Sequence, residues 1–80
     1  MNQEECEERV GTMLRGKWKL ERLLGFGGMA AVYEARHKIG RIDAVKILHP
    51  ELAINSQVRS RFEQEAIAAN SIKHQAIVER

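Results

Sequence analysis

Aspartate is almost missing from this 80-residue sequence: ten Glu stand against a single Asp, Asp43. Any mechanism that needs two aspartates within these residues is excluded at once. Cysteine and proline are equally scarce, with one of each. The lone Cys6 cannot close an internal disulfide, so no covalent staple supports so small a core, and a reducing compartment is the simpler expectation. Aromatic residues amount to two Phe, one Trp and one Tyr. With so few rings to stack on bases, and with Lys and Arg scattered singly, no nucleic-acid partner is expected. No run approaches the roughly 18 apolar residues of a membrane span, and the opening MNQEECEERV is acidic where a signal peptide is basic and then apolar. No membrane segment and a cytoplasmic location are therefore expected.

What is present fits one small folded domain. The sequence is 44% hydrophobic and 30% charged, a composition that favours a soluble globular chain over a disordered one. Its net charge of +2 is uneven: residues 1–8 carry four Glu and no base, and the remainder is basic. Residues 1–15 lack strand alternation, and Gly11 interrupts a weak helical pattern, so a flexible acidic tail is expected there. The organised part is expected to span 16–80.

From Trp18 the pattern has a period of two. Trp18, Leu20, Arg22 and Leu24 alternate with Lys17, Lys19, Glu21 and Leu23, which predicts a strand over 17–24 with the first set on one face. Gly25-Phe26-Gly27-Gly28 then favours a tight reversal, and Ala31–His37 can pair back as a second strand. After Gly40, the spacing predicts a third strand over 42–48 in which Ile42, Ala44, Lys46 and Leu48 share a face. Pro50 ends it. Beyond Ser56 the period lengthens to that of a helix, with Val58, Phe62, Ala66, Ala69 and Ile72 on one side and Asn55 or Ser56 as N-cap. The helix is expected to fade near Lys73-His74, where Ala76-Ile77-Val78 starts a further strand.

Gly25, Gly27 and Ala30 form a Gly-x-Gly-x-x-Gly/Ala loop, whose backbone can approach phosphate oxygens because little side chain intervenes. Two nucleotide-binding folds use such a loop. In a dinucleotide-binding βαβ unit the glycines open a helix, and an acidic residue follows about 20 positions on, near Asp43. In the other fold a hairpin covers the phosphates, and a cation on a third strand, held by a carboxylate, reaches them. Lys46 on the third strand and Glu65 on the later helix supply that pair. A lone strand lysine and a helix-border glutamate are both most often simply solvated, so the pairing rests on their joint placement.

The blocks Leu24-Gly25-Phe26-Gly27-Gly28-Met29-Ala30-Ala31-Val32-Tyr33-Glu34-Ala35, Ala44-Val45-Lys46, Arg61-Phe62-Glu63-Gln64-Glu65-Ala66 and His74-Gln75-Ala76-Ile77-Val78 stand in one order. Together they resemble the N-terminal lobe of a bacterial eukaryotic-like (Hanks-type) serine/threonine protein kinase, cut after helix C. The resemblance covers about residues 16–80. It implies an α+β small lobe: three antiparallel strands, the start of a fourth, and one helix, helix C. It also implies an ATP site formed by Leu24, Gly25, Phe26, Gly27, Gly28, Met29, Ala30, Val32, Ala44 and Lys46, in which Val32 covers adenine and Lys46 contacts phosphates. Glu65 would anchor Lys46 through a salt bridge. Ala30 departs from the third loop glycine, Asp43 from an apolar strand residue, and Gln75 from a frequent proline.

The resemblance also marks what these residues lack. The family's chemistry needs a catalytic-loop Asp and a magnesium-binding Asp, and a single Asp beside Lys46 supplies neither. No catalytic residue and no metal site is therefore expected here; magnesium would accompany ATP only with the rest of such a kinase present. The implied function is the ATP-binding part of an enzyme that phosphorylates protein Ser/Thr. The alternatives are a non-catalytic protein-interaction module and the βαβ unit. His37, His49 and His74 lack metal-ligand spacing and read as surface or turn residues.

Overall fold

The computed structural model describes residues 2–68 and 74–77, and the side chains of residues 2–64. In chain order the elements are α1 (Gln3–Glu8), β1 (Met13–Leu14), β2 (Trp18–Phe26), β3 (Ala30–His37), β4 (Ile42–Leu48), α2 (Pro50–Ala53), α3 (Ser56–Ala68) and β5 (His74–Ile77). The five strands form one sheet in the order β1-β2-β3-β4-β5. Its first four strands pair antiparallel. The architecture is α+β, as expected. Where a fourth antiparallel strand was foreseen, β5 instead lies parallel to β4, so α3 belongs to the crossover that joins them.

The opening residues differ most from the expectation of a tail. Asn2 caps α1 by accepting from the Glu5 amide, and Glu5 reaches back to the Asn2 amide, a capping box. Cys6 points from this helix into the sheet and is fully buried, while the Tyr33 hydroxyl donates to its carbonyl at 2.8 Å. Arg15 and Gly16 then take positive φ (52° and 65°), which lets β1 reverse tightly onto β2. Short polar helices and two-residue strands carry little periodicity, and this is why the pattern of residues 1–15 did not reveal them.

β2 begins as its alternation predicts, with Trp18 and Leu20 buried, and then departs from it. Leu20 pairs with Ala35 and Arg22 with Glu34, so Glu21 is an extra residue, a β-bulge; a second shift follows between Leu23 and Gly25. Each bulge moves the following side chains to the other face and increases local twist. Leu23 therefore packs on the core, and Arg22 and Leu24 are exposed, the reverse of the expected assignment. Arg36 Nε donates to Glu21 Oε1 at 3.0 Å across the bulge.

Two apolar clusters lie on opposite sides of the sheet. One joins Cys6, Leu14, Trp18, Leu20, Ala31, Tyr33, Ala35, Val45 and Ile47, under α1 and β1. The other joins Ala30, Leu48, Ala53 and Phe62, with Met29, Leu52 and Val58 against it, and fastens α2 and α3 to the far end of β3 and β4. Pro50 occupies the first turn of α2, where its missing N–H costs nothing. Asn55 is the residue that caps α3: its Oδ1 accepts from the Gln57 and Val58 amides at 2.9 and 3.2 Å. No described helix is long and apolar enough to cross a membrane.

Candidate functional site: the glycine loop and Lys46

The segment after the glycines is a strand paired antiparallel with β2, not a helix, so the dinucleotide-binding βαβ alternative is excluded. The reversal is closed by the Gly27 amide donating to the Ala30 carbonyl at 3.0 Å. None of Gly25, Gly27 and Gly28 takes positive φ, and a Cβ added at Gly25 or Gly28 would meet no atom within 4 Å. Neither backbone conformation nor internal packing therefore calls for glycine at these two positions.

Register assembles the site. Gly25 pairs with Val32, and Val32 pairs with Lys46, so the three form one lateral row across β2, β3 and β4. Ala44 lies two residues from Lys46 and so on the same face, while Val45 points into the core on the other. Val32 and Ala44 are half-buried and Lys46 is exposed, a shallow apolar floor with a cation beside it. Leu24 and Phe26 are exposed on the loop; Met29 and Ala30 turn into the cluster with Phe62. Lys46 Nζ lies 5.9 Å from the centre of the Phe62 ring, at the outer reach of a cation–π contact, so the ammonium sits next to α3. Glu65 is on the same helix, less than one turn beyond Phe62, and its side chain lies outside the described residues.

Two polar residues near the row were not singled out for the roles they hold. His49, read from sequence as a turn histidine, is 3% exposed, and its Nε2 lies 2.7 Å from the Gly27 carbonyl. Asp43, on the opposite face, accepts from Trp18 Nε1 at 2.9 Å and from Arg41 Nε at 2.8 Å. Burial opposes ionisation of Asp43, but the hydrogen bonds from Arg41 and Trp18 and the charges of Arg41 and His37 outweigh it and hold its carboxyl below the usual range. Among the described residues no group of three or more His, Cys, Asp or Glu is placed to hold a metal ion.

No family model matches the chain. Curated proteins do. A probable serine/threonine-protein kinase of Streptomyces coelicolor is 46% identical over 66 residues, covering 81% of this chain and 10% of that protein. A serine/threonine-protein kinase of Myxococcus xanthus is 47% identical over 64 residues, 79% of this chain and 9% of its own length. The serine/threonine-protein kinase PknA of Mycobacterium tuberculosis is 39% identical over 70 residues, 86% of this chain and 16% of its own. The chain thus spans a small fraction of the length of the relatives it matches. By these matches the chain is homologous to bacterial Hanks-type serine/threonine protein kinases and corresponds to the N-terminal lobe of such a kinase.

Proposed function

We propose that this chain is the ATP-binding part of a serine/threonine kinase small lobe, and that it covers nucleotide phosphates without itself carrying the residues that transfer them. The observation that carries this reading is the row Gly25–Val32–Lys46, which places an unobstructed backbone, an apolar contact and a cation side by side on one face. In that reading Val32 and Ala44 contact adenine, and Leu24 and Phe26 border it. The Gly28 and Met29 amides, inside the turn that the Gly27–Ala30 bond closes, approach phosphate oxygens, and Lys46 neutralises them. Glu65 would hold Lys46 in place through an ion pair. Magnesium would be held by an aspartate that these 80 residues do not contain, and a protein substrate belongs to the whole enzyme.

Titration of the chain with ATP, followed by amide chemical shifts, tests the reading. Weak, saturable shifts confined to residues 24–32 and 44–46 are expected, and Lys46→Met should abolish them. If wild-type chain shows no saturable change at millimolar ATP, the reading fails; a partner protein that binds equally well to Lys46→Met would favour an interaction module instead.

A further inference from the structure

We propose that His49 is a positioning residue for the glycine loop, fixing the orientation of the Gly27–Gly28 peptide and so of the amide that faces a phosphate. The inference rests on the nucleotide reading for its purpose, but its geometry stands without it. A carbonyl only accepts, so the 2.7 Å contact requires a proton on His49 Nε2. The imidazole meets that need as the Nε2–H tautomer and as the imidazolium alike, so the bond survives protonation of the ring.

His49 is itself fixed from two sides. Its amide donates to the Met29 carbonyl at 3.0 Å, and its carbonyl accepts from Leu52 and Ala53 as α2 begins. Its ring lies 5.1 Å from that of Phe26, tilted by 41°. One residue at the end of β4 thus grips the loop through the Phe26 ring and the Gly27 and Met29 carbonyls. The peptide that follows Gly27 is trans and planar, so holding the Gly27 carbonyl toward His49 turns the Gly28 N–H the opposite way. That amide donates to no acceptor among the described residues. An N–H held in one direction and left unpaired is what an incoming phosphate oxygen requires. Without the tether, two consecutive glycines would let the peptide plane rotate freely.

The test compares His49→Gln, whose amide nitrogen can occupy the position of Nε2, with His49→Phe, which keeps a ring beside Phe26 and loses the donor. Backbone 15N relaxation of Gly28 and Met29 is measured first, without ligand. Order close to wild type in His49→Gln and markedly lower order in His49→Phe are expected. Equal loop order in wild type and His49→Phe overturns the proposal. Should His49→Phe not fold, His49→Asn replaces it, because its shorter amide cannot reach Gly27. Titration with inorganic triphosphate and with adenosine then separates the two readings. Loss of the tether should weaken triphosphate about two- to tenfold and leave adenosine unchanged. If wild type binds neither, the nucleotide reading falls, and loop order alone still decides the role of His49.

Discussion

At the scale of single residues, the sole aspartate has a structural task. Both oxygens of Asp43 are engaged by Arg41 and one also by Trp18, and the residue is 2% exposed. Asp43→Asn should lower stability at pH 7 by about 1–3 kcal/mol, because a buried carboxylate, charge-paired with a half-exposed Arg41 and bonded to Trp18, is replaced by an amide with a surplus donor. Its folded carboxyl titrates below the unfolded value of 3.8. The stabilisation is therefore complete above that value and is lost as pH falls through the lower, folded one. Urea unfolding between pH 7 and pH 2 should show this loss in wild type and a flatter acid limb in Asp43→Asn. Identical limbs would mean that Asp43 is not linked to folding. The sequence showed Asp43 as a departure from an apolar pattern; the fold, which brings Trp18 to it across the sheet beside its chain neighbour Arg41, shows why the charge is tolerated.

Among the elements, those with a sustained period were legible and those without one were not. β3, β4 and the start of α3 lie where alternation and helical spacing put them, since β3 and β4 each bury one face and Phe62 anchors the helix; Ala69, Ile72 and the expected helix end near Lys73-His74 lie outside the described residues. Face assignment in β2 failed beyond Leu20, since an extra residue at Glu21 inverts the side chains and leaves no mark in composition. The row of Gly25, Val32 and Lys46 was legible as motif, yet its register depends on the same bulges. α1 is six residues long, too short to persist alone, so it exists through its cap and through Cys6 and Tyr33. Local opening of α1 is therefore expected to govern access to the Cys6 thiol. Asn2→Ala and Tyr33→Phe should each speed modification of Cys6 by a thiol reagent about three- to tenfold, as a loss near 1 kcal/mol implies. Unchanged rates would show that neither the Asn2 cap nor the Tyr33 bond controls the opening that exposes Cys6.

For the whole molecule, placement of the only Asp decides what the chain can do alone. Phosphoryl transfer by kinases relies on one aspartate to orient the accepting hydroxyl and another to hold magnesium. Asp43 is buried on the face opposite Lys46 and already satisfied, so it can take neither role. The purified chain should therefore transfer no phosphate from magnesium-ATP to any protein or peptide, and transfer that withstands exhaustive purification would refute this. A stability of only a few kcal/mol is also expected, because a core of this size, with no disulfide, contributes little beyond the entropy of ordering it. The two expectations meet in one experiment. Fusing residues 1–80 to the part of the PknA relative that follows the matched residues is expected to supply both aspartates and to cover more of the sheet. The fusion should phosphorylate a peptide, should lose this activity at least a hundredfold with Lys46→Met by the usual scale of lost electrostatic stabilisation, and should unfold at a higher denaturant concentration than the chain alone. A folded, inactive fusion would show that the Gly25–Val32–Lys46 row does not serve phosphoryl transfer.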